Sequence, residues 1–117
     1  MPSLTWSQAL TANQLGFNPV SGWQFERVPS SFGAGAYVSV LERCTDANAQ
    51  LSIFTGSQNI LQRSPVSSGA TAGLIPTLFD TPVIDWRSAP DDLIQVLNDE
   101  TAGGTPTVVG IITIEPL

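Results

Sequence analysis

The apolar residues of this chain come in short β-branched runs, each cut off by Gly, Pro, Ser, Thr or Asn, and no segment keeps a helical period over three turns. Such runs read as strands. In residues 22–28, Trp23 and Phe25 alternate with Gln24 and Glu26, which predicts a half-buried strand ended by Pro29. Residues 37–44 form a second run. Residues 45–49 read as a turn of side chains that bond their own backbone. Residues 51–55 and 59–63 flank Gly56-Ser57-Gln58 and predict a hairpin.

Residues 64–73 read as a long loop of small residues with Pro76 close behind, and 82–87 as a further strand. Residues 88–93 have room for one helical turn at most. Residues 91–97 and 107–114 surround 98–104 and give the strongest hairpin signal in the chain. Their second run is apolar on both faces near Val108 and Ile112, as in a central or covered strand. Seven or eight short strands within 117 residues predict an all-β fold, a two-sheet sandwich or jelly roll, over residues 22–117. The pattern leaves the connectivity open.

Residues 1–21 differ, with large apolar side chains at Leu4, Trp6, Leu10, Leu15 and Phe17 and no clean period. Two readings stand. The segment is a first strand with a loop, or an extended N-terminal arm whose five apolar side chains form an interface with another surface.

Charge narrows the function. Arg27, Arg43, Arg63 and Arg87 are the only cations against ten carboxylates, for a formal net charge of -6. Four scattered arginines make no basic face, which argues against nucleic acid and against an anionic membrane surface as partners. No run is long and apolar enough for a membrane helix, and no basic region leads into an apolar one as in a signal peptide, so synthesis in the cytoplasm is expected.

The chain also has no histidine and no lysine, which removes the commonest general base, zinc ligand and Schiff-base former. Cys44 is alone and reads as a small residue near a strand end. Paired carboxylates remain, at Asp91-Asp92 and Asp99-Glu100, with Asp80, Asp85 and Glu115 isolated. Adjacent turn carboxylates read as solvated loop residues. Asp91, Asp92, Asp99 and Glu100 would offer calcium hard oxygens if their loops met, but no calcium-loop motif accompanies them. Asp85 beside Trp86 would suit a sugar site, yet strand alternation sends them to opposite faces. The expectation is therefore no enzyme, no catalytic residue, no metal and no cofactor. Trp6, Trp23 and Trp86 read as core or interface, with a sugar-stacking platform as the alternative.

Three stretches sharpen this reading: residues 22–29 followed by Gly33, residues 54–76, and residues 92–101 with Gly103 and the closing 111–117. Together they resemble the small jelly-roll cement or decoration proteins on the heads of tailed bacteriophages. The resemblance spans most of the chain from about residue 22, and rests on turns and strand ends rather than a chemical signature. It implies a structural virion protein on the outer capsid surface, bound to the major capsid protein as a homo-oligomer (dimer or trimer) and bridging neighbouring capsomers. It places no catalytic residue and no metal ligand. The alternative is a carbohydrate-binding or host-attachment module on a virion. If residues 1–20 were a free arm, deleting them would abolish shell attachment and leave the domain folded.

Overall fold

The computed structural model describes residues 2–45, 49–71, 73–75, 83–101 and 103–117. They form seven strands: β1 (Ser3–Ala9), β2 (Ala36–Cys44), β3 (Ala49–Thr55), β4 (Gln58–Pro65), β5 (Ile84–Ser88), β6 (Ile94–Glu100) and β7 (Thr107–Pro116). A four-stranded sheet runs β1-β7-β2-β5 and a three-stranded sheet β4-β3-β6. Every pairing is antiparallel. The predicted all-β, two-sheet architecture is present.

The pairing resolves the connectivity. The first half of the chain pairs with the second as one long ribbon: β1 with β7, β2 with β5, β3 with β4. Between β1 and β2 the chain lies along β6 through isolated bridges, Phe17 with Asn98 and Arg27 with Leu93. The ribbon is rolled so that β7 meets β2 and β3 meets β6. This is jelly-roll connectivity with its second strand reduced to bridges.

Two expectations are corrected. Residues 22–28 are no regular strand. The Asn18 side chain accepts the Val20 N–H at 3.0 Å, Trp23 N–H bonds Val20 O, and Glu26 N–H bonds Trp23 O. These turns consume the backbone groups a ladder needs, while Trp23 and Phe25 pack edge-to-face, 5.4 Å between centroids, against the core. Likewise β6 and β7 are no hairpin. They lie in different sheets, β6 beside β3 and β7 between β1 and β2. Two apolar runs with a short connection satisfy a hairpin pattern equally well when the connection crosses from one layer to the other.

Elsewhere local chemistry and structure agree. The β3–β4 turn places Gly56 at φ +57, where a β-carbon is disfavoured, with Thr55 paired to Gln58. β7 is central in its sheet, which accounts for its two apolar faces. β2 alternates buried and half-buried residues along its whole length, so Ala36, Val38, Val40, Glu42 and Cys44 all face inward. Ala36, Val38, Val40 and Cys44 share one core cluster with Trp6, Trp86, Ile112 and Ile114 of the same sheet and Leu51, Ile53, Ile94 and Val96 of the other. The sequence features at Asp46, Ala47, Asn48, Pro76, Asp80 and Pro82 lie outside the described residues.

Candidate functional site: an outer sheet face and a buried carboxyl

The five apolar residues of the N-terminal segment separate on folding. β1 is an edge strand in register with β7, Leu4 facing Ile112 and Trp6 facing Gly110. Trp6 and Leu10 are buried in the chain's own core, and Leu4 and Phe17 pack against it half-buried. Burial of a large apolar side chain contributes roughly 1.5–3 kcal/mol to folding, so Trp6 and Leu10 stabilise this domain and are not anchors for another surface. Leu15 is 62% exposed and still presents its side chain outward. Ser3–Ala9 is the first strand of the sheet, so deleting residues 1–20 would remove a paired strand together with buried Trp6 and Leu10.

Beneath β1 lies a polar cluster the sequence reading did not single out. Trp6, Gly110 and Glu42 occupy adjacent positions across β1, β7 and β2. The indole crosses Gly110 and donates its Nε1–H to Glu42 Oε1 at 3.0 Å. A β-carbon on Gly110 would sit 2.4 Å from the indole and 2.8 Å from Leu41 O, so only glycine admits this crossing. Asn98 of β6 reaches the same carboxyl from the opposite sheet. Burial pushes the Glu42 carboxyl up to about 8, while hydrogen bonds from Trp6 and Asn98 favour the charged form. Glu42 Oε2 and Asn98 Oδ1 are buried without a partner among the described residues. A proton on Oε2 would supply a donor to such an acceptor.

The signal for Glu42 is present in the sequence: alternation along residues 36–44 puts it on the face of Val38 and Val40. On that flank of β2, Ile84 faces Val40 and Ser67 bridges Arg43. A cavity of about 130 Å³ lies there, walled by Glu42, Leu51, Leu61, Val66 and Ile84 among others.

The remaining carboxylates do not converge. Asp91 and Asp92 precede β6 while Asp99 and Glu100 end it, separated by a strand's length of about 20 Å. The condition for a four-carboxylate calcium site is therefore not met. Instead these groups tie down backbone. Asp92 accepts Ala89 N–H, Asp99 accepts Gly16 N–H, and Glu100 accepts the N–H groups of Asn13 and Gly103. Asp85 points to the outer face and Trp86 into the core, as alternation requires.

The outward face of the four-stranded sheet carries a further apolar feature among the described residues. Tyr37, Ser39 and Leu41 of β2, Ile111 and Thr113 of β7, and Val83 and Asp85 line an open trough of about 340 Å³. Val83 is 45% exposed. The Tyr37 hydroxyl donates to Asp85, and this bond raises the phenol's pKa above its ordinary value. Trp6 and Trp86 face the core and Trp23 is half-buried against Phe25, so no described tryptophan stands on this face.

No protein-family model, curated protein or solved structure matches the chain.

Proposed function

We propose that the chain is a non-catalytic structural virion protein, a decoration subunit that binds the outside of a tailed-phage head and bridges its major capsid proteins. The observation that carries this reading is the outer face of the β1-β7-β2-β5 sheet. A rolled sandwich presents Tyr37, Leu41, Val83 and Ile111 there, in a trough where Asp85 is the single charge among the described lining residues. Burial of such side chains gives salt-tolerant adhesion, and repetition over a symmetric shell multiplies a modest affinity. The contact moves from the N-terminal segment to the sheet, because Trp6 and Leu10 are committed to the core. A glycan-binding reading has less support, since the tryptophans that would stack on sugars face inward or are half-covered.

Cosedimentation with expanded empty heads of the chain's own phage tests the reading. Wild type is expected to pellet to saturation at high salt, and Ile111→Lys, which changes only the half-exposed outer face, to fall at least tenfold in affinity. Wild type remaining in the supernatant would refute shell binding.

A further inference from the structure

The two sheets end in four edges, and the described residues block three of them. β6 is flanked by the bridges of Phe17 and Arg27. β4 is broken by register shifts opposite Leu51, Ile53 and Phe54, with Arg63 at φ +43 and Pro65 at its end. β5 spans only five residues and carries Asp85 and Arg87. Short, bulged or charged strands are the usual means of keeping an edge unpaired. β1 has none of them: Ser3–Ala9 is in unbroken register with β7 and holds no charge, no proline and no bulge.

Hydrogen-bond parity identifies its free groups. Ile114 N–H bonds Pro2 O and Leu10 N–H bonds Pro106 O, so the even-numbered residues of β1 exchange bonds with β7. The N–H and C=O groups of Ser3, Thr5 and Ser7 therefore point away from the sheet. Among the described residues no backbone–backbone hydrogen bond reaches them, and the one backbone group bonded to these residues' side chains is the Gly73 N–H, which donates to the Ser7 hydroxyl at 3.0 Å.

We infer that β1 pairs antiparallel with β1 of a second copy, joining two four-stranded sheets into one of eight strands. The strand is complementary to itself. In any such pairing the outer row sets only Ser3, Thr5, Ser7 and Ala9 against one another, small uncharged side chains; the Ser3 and Thr5 hydroxyls can hydrogen-bond across strands, while Ser7 Oγ accepts the Gly73 N–H. The inner row brings half-buried Leu4 alongside its counterparts Leu4 and Trp6. A net charge of -6 would oppose self-association through a charged edge, and this edge carries none. The association is a property of the free chain and does not depend on attachment to a shell.

Sedimentation velocity on the purified chain from 1 to about 200 μM tests it, with Thr5→Pro and Thr5→Val as the variants. Proline at position 5 removes an outward N–H without touching the β1–β7 ladder, while valine keeps that N–H. Wild type and Thr5→Val are expected to dimerise with rising concentration. Thr5→Pro is expected to dissociate at least tenfold more readily, with wild-type circular dichroism and unfolding midpoint. A wild type that stays monomeric throughout, or a dimer that Thr5→Pro leaves intact, overturns the inference. Should Thr5→Pro unfold, hydrogen exchange of wild type decides: the Thr5 amide must gain protection between dilute and concentrated samples, and an unchanged rate refutes the pairing.

Discussion

The indole of Trp6 reaches Glu42 across Gly110, donating its Nε1–H to Oε1 at 3.0 Å over a position where a β-carbon would lie 2.4 Å from the ring. Edge strand β1, central strand β7 and inner strand β2 are thus joined by a row of three side-chain positions as well as by backbone ladders.

Gly110→Ala is expected to destabilise the fold by about 1–3 kcal/mol, the range for overpacking a well-packed core. The indole cannot retreat without losing Glu42, and Leu41 O, 2.8 Å from the new methyl, is backbone. Urea unfolding followed by tryptophan fluorescence measures the change. A loss under 0.5 kcal/mol, within the range of ordinary surface substitutions, would contradict the account.

Glu42 sets a pH dependence. Its carboxyl is raised from 4.5 to about 8 on folding. Between these values the folded chain holds a proton that the unfolded chain has released, so stability is greatest below 4.5 as far as this group is concerned. It falls as pH rises through the window and levels off above 8. Each pH unit inside the window removes about 1.4 kcal/mol. The absence of histidine leaves few other groups titrating between pH 6 and 8. Unfolding midpoints are expected to drop across that range in wild type and to stay level in Glu42→Gln. The amide can accept from Trp6 and donate to Asn98 without ionising, so Glu42→Gln should also be the more stable protein at pH 8. Equal slopes for the two proteins would remove Glu42 as the cause.

These two predictions show how much of the molecule was legible. Residues 37–44 were legible only as an apolar run, and the alternation rule applied to it places Glu42 inward. The row above it was not legible, because Gly110 meets Trp6 only once β1 is paired with β7, a contact between chain ends that no local pattern specifies. The apparent hairpin of β6 and β7 failed for the same reason: local runs fix strands, while the roll of the ribbon fixes neighbours. At residues 22–28 an alternating pattern was produced by two aromatics folding inward from consecutive turns.

Deletion of residues 2–10 tests whether β1 is structural. It removes an edge strand together with buried Trp6 and Leu10, and truncating single core residues of this size costs about 2–5 kcal/mol each. The shortened chain is expected to lose its cooperative thermal transition. A truncated domain that unfolds cooperatively near the wild-type midpoint would restore the arm reading.

Cryo-electron microscopy of heads saturated with the purified chain tests shell decoration most directly. The result expected is ordered density on the outside of the head, with Leu41, Val83 and Ile111 against the capsid surface and the β4-β3-β6 sheet toward solvent. Heads that remain bare, or a subunit bound with the Leu41–Ile111 face toward solvent, would contradict it.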